Sequence, residues 1–141
     1  MKPNLIQPYL LFNGRCKEAL EFYGTALGAK VDFMMLYKES PQPLPPDKLP
    51  AGWADKIMHA TFRIGENVLM ASDGCEEGAK FGGFSLSLSV ASEAEANRFF
   101  AALSAGGQVG MPLTKTFWSP CFGMLTDRFG LGWMISVEAT K

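Results

Sequence analysis

Apolar and polar residues recur along this chain with two periods, and the same succession of periods is met twice. Pro8-Tyr9-Leu10-Leu11-Phe12 reads as a short strand, and Ala19, Leu20, Phe22, Tyr23, Ala26 and Leu27 then fall at helical spacing. In the second half, Ser85-Leu86-Ser87-Leu88-Ser89-Val90 alternates with period two. Ala94, Ala96, Phe99, Phe100 and Leu103 follow at helical spacing. Each helical pattern ends at glycine, Leu27-Gly28-Ala29 and Ala105-Gly106-Gly107, as helices that close on a left-handed residue do. Ser92 with Glu95 three residues on has the form of a capping box.

Strands complete both halves. The first has patterns at residues 31–37, 57–64 and 68–72; the second has a weak one around Val109, then 122–126 and 133–137. Gly65 and Gly130 stand at matching turns, each two residues after an arginine, Arg63 and Arg128. The expectation is an α+β fold: two βαβββ repeats, at about 5–74 and 82–138 of one domain spanning 1–141. They are expected to form a curved mixed β-sheet cup with helices on the outer face. Residues 40–50 hold five of the nine prolines and exclude a central strand or helix interior. They read as a lid or as a semi-rigid connection.

Alternation assigns faces. Met58, Ala60, Phe62 and Ile64 share one side of their strand and are expected to pack on a helix, while His59, Thr61 and Arg63 share the other. The open sides should also carry Leu69, Ser85, Ser87, Ser89, Met124, Thr126, Met134 and Ser136. That mixture suits either a solvated surface or one curved around a ligand. Trp118 and Phe122 flank the irregular Ser119-Pro120-Cys121 stretch, where aromatics fit an apolar ligand or a dimer contact equally well.

Composition narrows the classes. Hydrophobic residues make up 48% and charged residues 19% of 141, with a formal net charge of −1 and no long run of either sign. Nucleic acid and membranes are therefore not expected as partners. The N-terminal residues lack a signal-peptide pattern and no stretch approaches transmembrane length, so a cytoplasmic location is expected. Cys16, Cys75 and Cys121 are odd in number and form no CxxC pair, which argues against a disulfide framework or a zinc knuckle. Asp73, in Ser72-Asp73-Gly74, and Asp127 read as turn residues.

Several motifs together resemble a known family. They are Pro8 to Gly14 with Glu18-Ala19 and Phe22-Tyr23; His59-Ala60-Thr61-Phe62; Leu69 to Asp73; and Thr116-Phe117-Trp118 followed by Phe122-Gly123, Asp127, Phe129-Gly130 and Trp133-Met134-Ile135. The chain is similar over nearly its whole length to the vicinal-oxygen-chelate superfamily (the glyoxalase/bleomycin-resistance fold). Within it the resemblance is to the PhnB-like branch, once labelled demethylubiquinone-methyltransferase-like. Nothing in the chain resembles a glycine-rich loop for a nucleotide-like cofactor.

In metal-dependent members of that superfamily, four strand positions supply His or Glu ligands. Carried over one at a time, these positions fall at Pro8 (with Gln7 adjacent), Ala71 or Met70, Ser85 and Ser136. None is a residue that zinc, nickel or iron prefers, so no resident metal or other cofactor is expected. The resemblance implies a cleft for an unknown small organic molecule, held by sequestration, and a homodimer. The expected ligand-binding residues are Phe12, Thr61, Arg63, Leu69, Ser85, Ser87, Trp118, Phe122, Met124, Met134 and Ser136. The alternative is a lyase or isomerase with His59 as catalytic acid/base and Arg63 or the serines orienting substrate. A metal-dependent glyoxalase- or dioxygenase-like activity stands third.

Overall fold

Alternating strands that each hide one face need a helix to cover it, and each half of the chain supplies one. A computed structural model describes residues 5–41, 52–74 and 80–138; the proline-rich segment lies almost wholly outside the described residues, as does Cys75. The chain divides into two compact units, Met1–Ala79 and Lys80–Lys141.

The first unit runs β1 (Tyr9–Leu11), α1 (Cys16–Leu27), β2 (Lys30–Leu36), β3 (Ile57–Ile64) and β4 (Asn67–Ser72), with single 3-10 turns at Tyr37–Glu39 and Trp53–Asp55. The second runs β5 (Leu86–Val90), α2 (Glu93–Ser104), β6 (Gln108–Thr114), β7 (Phe122–Thr126) and β8 (Gly132–Val137). Their sheets share one topology, β1-β4-β3-β2 and β5-β8-β7-β6. In each, the first strand lies parallel to the fourth and the remaining pairs are antiparallel. The α+β fold of two βαβββ repeats is thus the one the periodicity indicates.

In the first unit, α1 buries Ala19, Leu20, Tyr23 and Ala26. The Tyr23 ring lies nearly parallel to that of Phe62 on β3, with centroids 6.4 Å apart, and packs on Phe12 at 6.0 Å. Leu10, Ala60, Phe62, Leu69 and Ala71 are all buried on this side of the sheet. In the second unit, α2 lies over β7 so closely that a Cβ at Gly123 would come within 2.8 Å of the Phe100 ring. Leu125, Trp133, Ile135 and Val137 are buried with it.

The two helix starts are secured by different means. Ser92 accepts a hydrogen bond from the Glu95 N–H at 3.2 Å, the serine half of the capping box. No side chain local to α1 caps it. Instead Asp73, 1% exposed at the end of β4, accepts from the Gly14 and Cys16 N–H groups with Oδ1 and from the Ile57 N–H with Oδ2, at 2.7–2.8 Å. One carboxylate thereby joins the β1–α1 connection to the start of β3. Asp127, 3% exposed, keeps the turn role that its sequence position indicates. It accepts from the Phe129 and Leu131 N–H groups, and also from the Trp133 indole at 2.9 Å.

The weak pattern around Val109 proves to be a seven-residue strand. It contains Pro112 and two register shifts against β7. A proline and broken register are tolerated because β6 is an edge strand, where missing ladder donors cost little. They are also why its alternation is faint.

Candidate functional site

On the side of the first sheet away from α1, cross-strand register sets Tyr9, Met70, Thr61 and Phe33 in one row over four strands. His59 stands beside Met35 in the next row. The Tyr9 phenol lies 3.1 Å from His59 Nδ1 and also bonds the Ser72 hydroxyl. Ser72 in turn donates to the Ile57 carbonyl and accepts from the Gly74 N–H. On the other edge of the imidazole, Thr61 Oγ1 lies 3.4 Å from Nε2. The ring is flanked by those of Tyr9, centroids 5.6 Å apart, and Phe33, 6.2 Å apart.

His59 is half-buried, while Tyr9 and Phe33 keep 47% and 48% of their surface exposed. Burial of the Tyr9 hydroxyl pushes its pKa above the ordinary value, partly offset by the Ser72 hydrogen bond. The phenol therefore stays a neutral donor across the neutral range. The result is a line of polar atoms, Thr61–His59–Tyr9–Ser72, with aromatic walls open on one side.

Two residues expected in this lining lie elsewhere. Leu69 pairs with Phe62 and is 6% exposed on the α1 side, and Phe12 is 3% exposed against Tyr23. Both belong to the core. For Leu69 the reason is register: on β4 the open side carries Val68 and Met70, one step out of the phase assumed. Arg63 is on the open side and exposed, but its Nε donates to Asp32 at 2.8 Å. Its charge already has a carboxylate partner.

In the second unit the register gives a row of Ser87, Met134, Met124 and Met111, and beside it a row of Ser89, Ser136, Phe122 and Thr114. Ser85 continues the same side just before β5, with its Oγ 2.8 Å from where a Cβ on Gly132 would stand. Ser85, Ser87, Phe122, Met124, Met134 and Ser136 thus share one face, as alternation predicts. Trp118 is half exposed and meets Phe122 edge-on at 5.2 Å; the Phe117 ring packs on it at 4.7 Å. Their turn is fastened by Thr116 and Ser119, whose backbone and hydroxyl groups bond each other, while the Ser119 hydroxyl donates to the Cys121 and Val137 carbonyls.

Sequence reasoning missed Tyr9, Phe33, Met35, Met70 and Met111 as companions of these sites. Carrying strand alternation through β1 and β2 finds Tyr9 and Phe33. Met111 is hidden by the irregular register of β6.

The positions at which the superfamily places metal ligands carry neutral side chains. Ala71 is fully buried opposite Leu10 on the helix side, which leaves Met70 as the open-side residue of β4. Ser85 and Ser136 offer hydroxyls. Among the described residues no group of three or more His, Cys, Asp and Glu side chains comes together. Neutral thioether and hydroxyl donors do not fit a catalytic zinc, nickel or iron site. Nor do the described cysteines supply a nucleophile. Burial, reinforced by the Asp73 carboxylate, drives the Cys16 thiol well above its ordinary pKa, and burial also raises that of Cys121.

Residues 4–136 match the family model described as 3-demethylubiquinone-9 3-methyltransferase. The chain belongs to that family. It is 36% identical over 138 residues to the protein YjdN of Escherichia coli (strain K12), covering 94% of each chain. Among solved structures it is similar to protein PA1353 from Pseudomonas aeruginosa, with 46% identity, a TM-score of 0.84 and coverage of 96% of this chain and 98% of that one. It is also similar to a putative 3-demethylubiquinone-9 3-methyltransferase, the PhnB protein, from Bacillus cereus, with 26% identity, a TM-score of 0.79 and coverage of 95% and 99%. The PhnB-like resemblance and the glyoxalase/bleomycin-resistance fold are therefore established; more distant structures, at 10–19% identity, share the fold alone. No helix among the described residues is long and apolar enough to cross a membrane.

Proposed function

We propose that this family member binds a small, partly apolar organic molecule and does so without a resident divalent metal. The carrying observation is the open face of the first unit. There a half-buried imidazole is hydrogen-bonded at Nδ1 to Tyr9 and flanked by two half-exposed aromatic rings. Keeping large rings at the surface forgoes hydrophobic burial, which a bound apolar molecule would restore. The imidazole edge at Nε2, whose bond to Thr61 is long, gives that molecule a polar group to read. In the second unit, Ser85, Ser87 and Ser136 among the methionines offer hydroxyls beside adaptable apolar surface. The protein is proposed to act as a cytoplasmic homodimer.

Native mass spectrometry of untagged, freshly purified protein tests this reading. A dimer carrying an organic adduct and no metal is the expected result, with the adduct lost in Phe33→Ala and the dimer kept. About one tightly held divalent metal per chain would overturn it.

A second reading is a lyase or isomerase using His59. Its support is that the Tyr9 phenol fixes the ring, the arrangement by which an acid/base histidine is oriented. Any such turnover should fall by about 10²–10⁴ in His59→Gln. Unchanged turnover in that variant rules the role out.

A further inference from the structure

The middle row of the second sheet has a composition that supports more than adaptable apolar surface. Met134 on β8 pairs directly with Met124 on β7, which pairs directly with Met111 on β6. Three thioethers therefore lie side by side on one face of three adjacent strands, spaced about 4.8 Å at the backbone. Met124 is 38% exposed, and Met111 and Met134 are half-buried. A flexible methionine reaches across one strand spacing, so the outer two can lean over the central one and bring three sulfur atoms to a common point. Around them on this face stand Ser87, Ser89, Ser136, Thr114 and Thr126, hydroxyls without charge.

We propose that Met111, Met124 and Met134 form a binding site for a soft monovalent cation, Cu(I), for which Ag(I) is the redox-inert probe. Thioether sulfur is a soft, neutral donor that selects Cu(I) over the harder divalent ions. With no carboxylate or imidazole in the row, the site supplies no negative charge to stabilise Zn(II) or Ni(II). Thioethers carry no proton in the physiological range. Binding here is therefore independent of pH, unlike binding at a site built on imidazole ligands.

The test is a titration of the full-length protein, labelled with carbon-13 at its methionine methyl groups, with silver nitrate. The methyl resonances of Met111, Met124 and Met134 are expected to shift together, and to the same extent at neutral pH and at about pH 5.5, below the ordinary histidine pKa. Those of Met35 and Met70 in the first unit should stay in place. Met124→Leu should weaken the shift of the remaining two by at least the roughly tenfold that even an outer-shell change costs a metal site. Met134→Leu, on a half-buried position, should act alike. The proposal is overturned if the three resonances do not move, if all methionines move together, or if the response disappears at the lower pH. It is equally overturned if only an apolar organic additive moves the three, since that marks an adaptable hydrophobic surface.

Discussion

The two units repeat one topology but fasten their helices with opposite strategies. In the second, Ser92 caps α2 from one turn away, a contact written within four residues of sequence. In the first, α1 is capped by Asp73, which lies 57 positions from Cys16 and also holds the start of β3. Asp127 accepts from the turn beside it and from the Trp133 indole, within six residues of sequence. A local cap stabilises one helix end, whereas a remote carboxylate makes helix, loop and sheet depend on one another.

The largest expected effect follows from that difference. Asp73→Ala leaves three backbone N–H groups in or near the core without an acceptor, each costing about 1–3 kcal/mol. A destabilisation of roughly 4 kcal/mol is expected, a large part of the stability of a domain this size. Urea unfolding measures it. A loss no greater than that of a simple cap would mean that water or another group replaces the carboxylate.

The glycines after the helices sharpen the comparison in the opposite sense. Gly28 is needed for its backbone angle, φ 71°, and has open space around its missing Cβ. Gly107 is needed for space, since a Cβ there would sit 2.1 Å from the Thr126 carbonyl oxygen. Gly107→Ala must push two strands apart and should cost about 3 kcal/mol. Gly28→Ala should cost about 1–2 kcal/mol, the strain of a left-handed alanine. Equal midpoints in denaturant would show that the β6–β7 pair yields more easily than its geometry implies.

Ser92→Ala removes only the local cap, and about 1 kcal/mol is expected. Comparing it with Asp73→Ala shows why the sequence was legible in some places and opaque in others. Period-two alternation correctly placed His59, Thr61, Ser85, Ser87, Met124, Met134 and Ser136 on open faces, because side-chain direction within a strand is a local property. The same reasoning failed at Leu69, where a one-residue slip reverses the face; Phe12, expected in the lining from the resemblance, lies in the core against Tyr23. It could not see that Asp73 caps α1, that Asp32 occupies Arg63, or that Tyr9 bonds His59. Each of those contacts joins residues more than thirty positions apart. Only pairing between strands creates them. The family motifs indicated the fold from several short segments at once, and for that reason they succeeded where single positions did not.

The smallest stability effect is expected at Tyr9, and there the sign with pH carries the information. Tyr9→Phe removes one half-exposed hydrogen-bonding hydroxyl, worth about 0.5–1 kcal/mol near neutrality. Because burial raises the phenol's pKa in the folded chain, the wild type holds that proton more tightly folded than unfolded. Its stability should therefore fall as pH rises above the unfolded value of about 10. Phenylalanine cannot titrate, so the variant should lose less stability over that alkaline range, and the two denaturation midpoints should converge. His59 is the chain's single histidine, so nitrogen NMR reads the same bond directly. Its Nδ1 resonance should move in Tyr9→Phe, with little change at Nε2. An unmoved Nδ1 would mean that Thr61 alone orients the ring, and the first unit would then lose the polar line that distinguishes its open face from the methionine row of the second.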